Sequence, residues 1–217
     1  MELYSYFRSS ASYRVRIALK YKNMPYEYKA VHLLEGGGQQ RKDGFTTLNP
    51  MQQVPTLVHE GKAISQSMAI FEYLDQINPD NPLFSSDPMT GAKIRQICEL
   101  VNSGIQPLVN LYVLQTLKND FGLDDNQKNK WAVHFHKRGL EALNKLVLKS
   151  VGRFAVGHQV SAADMFIVAH VFSVERYGID VADYPLLERI YKTCMELDYF
   201  QESHPFKQID TPEEFRK

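Results

Sequence analysis

An α/β domain followed by an all-helical domain is the architecture this chain predicts, and three features of its 217 residues point there. Strand-like and helix-like patterns alternate over roughly the first third of the chain. A proline- and serine-rich stretch, "NPDNPLFSSDP" (78–88), then interrupts them. Beyond it the strand pattern disappears and only long helical periodicities remain. The predicted division is therefore residues 1–80 and residues 88–217.

The elements follow in order. "ELYSYF" reads as a short, aromatic-rich strand that runs directly into serines. Val15, Ala18 and Leu19 recur at helical spacing up to Lys22, and Asn23-Met24-Pro25 closes that helix. "YEYKAVHL", Tyr26 to Leu33, alternates as a strand does. The polar loop "LEGGGQQRKDGF" comes next; no Lys-Ser/Thr pair follows its glycines, so it is not a phosphate loop. Val54–Val58 and Lys62–Ile64 flank Glu60-Gly61 and read as a hairpin. Ile70, Tyr73, Leu74 and Ile77 fall at i, i+3, i+4 and i+7 of an amphipathic helix. The order β-α-β, then β-β-α, suggests a small mixed sheet flanked by helices. Past the linker, helical periodicity covers 90–121, 125–148, 162–177 and 186–197. Ser161, with Asp164 three positions on, is a capping-box variant ahead of an apolar run.

Composition narrows the function classes. Lys+Arg and Asp+Glu each number 25, so the formal charge is zero and no basic excess marks a nucleic-acid surface. No run approaches the roughly 18 apolar residues of a membrane helix. "MELYSYF" begins in a strand pattern without a signal peptide's basic and apolar regions. The two cysteines, Cys98 and Cys194, lie far apart without a Cys-x-x-Cys pair, which suits a reducing cytosol better than a disulfide scaffold or a zinc site. His134 and His136, two apart, face different ways on a helix and offer no metal spacing.

The chemistry-bearing candidates sit at strand-to-helix joints. In "LYSYFRSSASYRVRIAL", Ser9, Ser10 and Ser12 stand where a helix begins. A helix start presents unpaired N–H groups and a partial positive charge, and the hydroxyls add donors, so the joint suits an anion. Plain N-capping explains the same serines. No Gly-x-Ser-x-Gly elbow makes one of them a nucleophile. In "NPMQQVPTL" (49–57), Pro55 sits among apolar strand residues; a cis Val54-Pro55 bond is one way to use it, freeing the Val54 backbone to pair with an extended peptide. Gln66-Ser67 marks another helix start, suited to a carboxylate.

Singly these signals are soft, but their joint order is specific. "SSxSxRVRIAL", then "LNPxxQVPTL", then Gln66-Ser67-x-Ala69-Ile70-x-x-Tyr73-Leu74 is similar to the glutathione-binding domain of the glutathione transferases. With "GIQPLVNLYVL" (104–114), "VSAADMFIVAHV" (160–171), "VERYGIDVADYP" (174–185) and "SHPFKQIDTP" (203–212), the chain resembles their zeta class, the maleylacetoacetate isomerases, from end to end.

The resemblance implies a thioredoxin-like first domain on a mixed four-stranded sheet, a helical second domain, glutathione as coenzyme and a homodimer. It implies a small dicarboxylic or β-diketo acid as substrate. Carried over position by position, Ser9 or Ser10 would hold the glutathione thiolate, with Ala11, Ser12, Tyr13 and Arg14 lining that end. Gln40 and Gln53 would reach the tripeptide backbone, Val54 its cysteinyl portion, and Gln66 and Ser67 its γ-glutamyl carboxylate. Gln106, Asn110, Tyr112, Val113 and Leu114 would come from the helical domain, and Arg8 and Arg176 would face the acidic substrate. The zeta pattern usually reads Ser-Ser-Cys-Ser; here Ala11 replaces the cysteine, so the chemistry would rest on hydroxyls and the helix start. Maleylpyruvate isomerase, a general transferase acting on α-haloacids, and a non-catalytic interaction module are the alternatives. Leu111 and Tyr112, where some maleylpyruvate relatives carry basic residues, favour the first reading.

Overall fold

The computed structural model describes residues 1–216. It groups into two compact units, Met1–Leu83 together with the chain from Met195 onward, and Phe84–Cys194.

The first unit carries strands β1 (Glu2–Ser5), β2 (Glu27–Ala30), β3 (Thr56–His59) and β4 (Lys62–Ser65) in one sheet of order β2-β1-β3-β4. β1 pairs parallel with β2 and antiparallel with β3, and β3 pairs antiparallel with β4. Register sets Ser5 against Ala30, Tyr4 against Thr56, and Thr56 against Ser65. The C-terminal ends of β1, β2 and β4 and the N-terminal end of β3 therefore share one end of the sheet. Helix α1 (Ser10–Tyr21) follows β1 and is buried from Ser12 to Leu19, which is why its apolar residues do not form a single stripe. The β3–β4 turn falls at Glu60 and Gly61, as the hairpin pattern requires; both take positive φ, 51° and 73°.

Helices α2 (Asp43–Leu48) and α3 (Ser67–Ile77) complete this part of the unit. Helix α2 was not legible in the polar loop, because Gly44 and two threonines are poor helix formers. It is held instead by Phe45 in the core and by Thr46 and Thr47 hydroxyls donating to Asp43 O. β2 is shorter than the Tyr26–Leu33 alternation suggested. His32 Nδ1 accepts from the N–H groups of Leu34 and Glu35 and turns the chain away from the sheet. On α3, Ile70, Phe71 and Leu74 face the core, while Ile77 is exposed and Tyr73 donates or accepts at His59 Nδ1 over 2.7 Å.

The second unit contains α4 (Pro88–Asn102), α5 (Gln106–Val109), α6 (Leu111–Asn119), α7 (Asp125–Val147), α8 (Ala162–Glu175) and α9 (Pro185–Cys194). The single periodicity over 90–121 resolves into α4, α5 and α6. Pro107 cannot sit inside a continuous helix, and Asn110 caps a new one by accepting Val113 N–H at 2.8 Å. Gly139 on α7 leaves the space that the Ile105 side chain fills. Helix α8 is buried from Ala162 to Val174 and is the centre of this unit. Among the described residues no helix is long and apolar enough to cross a membrane.

The expected second domain of 88–217 is shortened by the grouping. The chain from Met195, with α10 (Asp198–Glu202), packs on the first unit. The ties are polar and specific: Tyr13 OH donates to Phe200 O, Arg16 Nε to Ser203 O, and Phe7 N–H to Asp210 Oδ2. Helical periodicity carries no record of which unit a helix packs against.

Asp164 organises the entry to α8. Its carboxylate, inaccessible to solvent, accepts from Ala155 N, Ser161 N and the Ser161 hydroxyl at 2.7, 2.9 and 3.1 Å. Burial nonetheless pushes its pKa up to about 6. Between about pH 4 and 6 the folded state thus keeps a proton that the unfolded chain has released, so this group's contribution is greatest at low pH and falls as pH rises. Urea unfolding of wild type and Asp164→Asn should show their stability difference shrinking by about 2 kcal/mol from pH 4 to pH 7.

Candidate functional site

Three of the joints singled out in the sequence lie at the same end of the sheet: β1 leads into Ser9, β4 into Gln66, and Val54-Pro55 leads into β3. Ser9 is the N-cap of α1, and its Oγ accepts the Ser12 N–H at 3.1 Å. A hydroxyl that accepts in this way still has its own proton to donate. Ser10 and Ala11 are half-buried in the first turn. Ser12 is buried, and its Oγ has no partner among the described residues.

Tyr13 and Arg14 turn inward. The Tyr13 ring is solvent-inaccessible, with its hydroxyl on Phe200 O. Arg14 is 2% exposed, and its Nε donates to Ser67 Oγ at 2.9 Å. That bond joins the start of α1's helix to the start of α3. Gln66 precedes α3 with φ 68° and ψ 111°, a strained conformation for a residue with a side chain, and it is exposed.

The Val54-Pro55 peptide is cis. Val54 packs with Tyr6, Phe7, Val31 and Phe45, directly behind the serine joint. Its backbone N–H and C=O make no hydrogen bond among the described residues, since the ladder of β3 begins only at Thr56. This is an extended backbone edge open to another peptide. Gln53 is half-buried and its carbonyl accepts from Asn49 Nδ2 at 2.7 Å. Gln40 is held within its loop: its Nε2 donates to Leu33 O, and Gly38 packs against its amide where no Cβ would fit. Its Oε1 has no partner among the described residues.

Arg8 stands one residue before the N-cap, with its guanidinium carbon 5.3 Å from the Phe215 ring centroid. No carboxylate pairs with it among the described residues. In the helical unit, Gln106 opens α5 and Asn110 spends its side-chain oxygen as the cap of α6. Tyr112 is exposed, Val113 is half-buried, and Leu114 packs against the Ile105–Val109–Ala132 cluster. Arg176 ends α8, exposed, over the Tyr177 ring at 4.8 Å, and it too has no carboxylate partner among the described residues. It faces a buried His136 whose pKa burial and the Arg176 charge together lower to about 4, so the imidazole is neutral.

Two residues that carry this site were not singled out in the sequence. Arg16 is fully buried, and donates to Ser203 O, Ser5 Oγ, Tyr6 O and Phe7 O at 3.2, 3.1, 3.4 and 3.1 Å. Asp210 accepts the Phe7 N–H at 2.9 Å and the Tyr28 hydroxyl at 2.7 Å. Arg16 left a trace, a second arginine inside the apolar run "RVRIAL". Asp210 left none.

Comparison with known proteins gives the family. Residues 1–76 match the family model described as glutathione S-transferase, N-terminal domain. Maleylacetoacetate isomerase of Mus musculus is 45% identical over 214 residues, covering 99% of this chain and 96% of its own. A holo structure of maleylpyruvate isomerase, a bacterial glutathione S-transferase of the zeta class, superposes with TM-score 0.93 at 36% identity, covering 98% of this chain and 100% of that one. The maleylacetoacetate isomerase of Anaeromyxobacter dehalogenans, solved with dicarboxyethyl glutathione and citrate in its active site, has TM-score 0.85 at 37% identity over 97% of each chain.

Replacing Arg16 tests the support beneath the serines. Lysine has a point charge where the guanidinium has a fork, so Arg16→Lys strands at least one buried carbonyl. Chemical unfolding should show a loss of about 2–4 kcal/mol.

Proposed function

The chain belongs to the zeta class of the glutathione transferases, the family of the maleylacetoacetate isomerases, and on that footing we propose that it isomerises maleylacetoacetate to fumarylacetoacetate with glutathione as coenzyme. The observation that carries the reading is the meeting, at one sheet end, of a serine-capped helix start and an unpaired backbone edge. Those are the donor sets a thiolate and a peptide need. Ser9 and Ser10 are assigned to the sulfur, with Ala11 and Ser12 beside them. Val54 and Gln53 take the cysteinyl backbone, Gln40 adds its amide, and Gln66 and Ser67 take the γ-glutamyl carboxylate. Tyr13 and Arg14 act from behind, Arg14 by holding Ser67. The sheet unit is the coenzyme domain in this reading. The family resemblance extends the assignment to Gln106, Asn110, Tyr112, Val113 and Leu114 for the coenzyme and to Arg8 and Arg176 for the substrate carboxylates.

Glutathione held by these residues would supply a thiolate for reversible addition to the conjugated cis double bond, which allows rotation before the thiolate leaves. The chain's own part is electrostatic. A free thiol of pKa about 8.5 is only a few per cent ionised at pH 7. Lowering it by one unit takes about 1.4 kcal/mol of preference for the anion. The Ser9 O–H and the N–H groups of the first turn of α1 offer charge-assisted bonds of that size. Arg8 and Arg176 suit carboxylates because each guanidinium is unpaired with any acid among the described residues and presents a planar fork. Positioned donors also stabilise the enolate oxygen that develops on addition.

Maleylpyruvate is the second candidate substrate, favoured by the likeness to a maleylpyruvate isomerase. Leu111 and Tyr112 after Asn110 tilt the choice to the larger substrate. A homodimer and a cytoplasmic setting belong to the same proposal; the latter suits Cys98 and Cys194, both buried and unbridged.

Ser9→Ala should raise the pKa of enzyme-bound glutathione, read from thiolate absorbance, by about one unit. Its kcat/KM should fall about tenfold or more. Wild-type isomerisation in both Ser9→Ala and Ser10→Ala would overturn the thiolate assignment. A higher kcat/KM for maleylpyruvate than for maleylacetoacetate would overturn the substrate choice.

A further inference from the structure

The geometry points to Phe215, near the chain's C-terminus, as a positioning residue that fixes the direction of Arg8 and so sets affinity for the acidic arm of the substrate; this rests on the reading above. The backbone at Arg8 is already immobile on its N-terminal side. Phe7 donates its N–H to Asp210 Oδ2 at 2.9 Å and receives Arg16 Nη2 on its carbonyl at 3.1 Å. Ser9, on the other side, is fixed as the cap of α1, with its N–H on Tyr6 O at 3.0 Å. Only the long Arg8 side chain keeps its freedom, and a flexible cation loses entropy on gripping a carboxylate.

The Phe215 ring removes that freedom. It lies 5.3 Å from the Arg8 guanidinium carbon, inside the range of a cation–π contact. It is stacked on Phe206 at 5.4 Å with planes 11° apart, and it lies 6.3 Å from Phe7. The turn carrying it is tied down locally. Phe215 N–H donates to Pro212 O, and Arg216 donates to Thr211 O and Ile209 O at 2.9 and 3.1 Å. A half-buried cation with no acid partner among the described residues, laid on a ring that is itself fixed, is an arginine ordered before its ligand arrives.

The probe is the S-dicarboxyethyl adduct of glutathione, titrated calorimetrically beside glutathione itself on the full chain. Phe215→Leu keeps apolar packing on Phe206 but removes the π face; Phe215→Trp restores a face. Phe215→Leu should weaken adduct binding roughly threefold to tenfold while leaving glutathione binding unchanged, and Phe215→Trp should return to within about twofold of wild type. The KM for the maleyl substrate should rise in parallel, with kcat held. Unchanged adduct affinity in Phe215→Leu, or equal weakening of both ligands, overturns the inference and leaves the isomerase reading standing. A wild type that binds the adduct no tighter than glutathione overturns the assignment of Arg8 to the substrate, and this inference with it.

Discussion

A buried guanidinium holds the site together. Arg16 is inaccessible to solvent, and isolating a cation from water costs far more than one hydrogen bond returns. Burial accordingly pulls its pKa down. The charge is tolerated because its donors meet four acceptors, drawn from the end of β1, the turn after it and the returning C-terminal chain. Three of those acceptors are backbone carbonyls beyond the end of the sheet ladder, and the fourth is the Ser5 hydroxyl. One interaction therefore fixes where β1 stops, how the chain enters α1, and where the chain after α10 lies. Asp210 closes the arrangement from the other side by taking the Phe7 N–H. The serine cap stands on this base, which allows it to offer donors in a fixed direction.

Sheet topology does the remaining gathering. Because β3 runs against β1 and β4 runs against β3, a strand start and two strand ends come to one edge. Residues about 12 and 45 positions from Val54 in sequence thereby share a small region. The Arg14–Ser67 bond then locks two helix starts to each other. The chemistry asked of this region is modest in kind. It is a matter of holding an anion and an extended backbone still, and rigid joints at the ends of strands do that better than a mobile loop.

The helical unit follows a different rule. Its centre, α8, is buried almost along its whole length and mostly apolar, and at its start Asp164 satisfies the N–H groups of Ala155 and Ser161. That capping pattern was readable in "VSAAD", since its spacing is local. The break of the long 90–121 periodicity at Pro107 and Asn110 was equally present in the residues, but an apolar pattern continues through it and masks it. The missing helix at Asp43–Leu48 had no local signal of its own; its burial of Phe45 is what makes it helical.

The sequence alone settled what depends on neighbours a few residues apart: the strand–helix alternation, the Glu60-Gly61 turn, the serine-rich start of the first helix, the Ser161 cap, and the ordered motifs that place the chain in its family. The three-dimensional structure decided what depends on distant partners. It turned Tyr13 and Arg14 inward, left the Val54 backbone unpaired, and brought Asp210 and Phe215 back to the serine joint. The physical reason is one of range. Helix and strand periods are set by backbone geometry within a turn or a pleat, whereas the satisfaction of a buried guanidinium or the seat of a half-buried one is chosen among all groups that folding brings within a few ångströms.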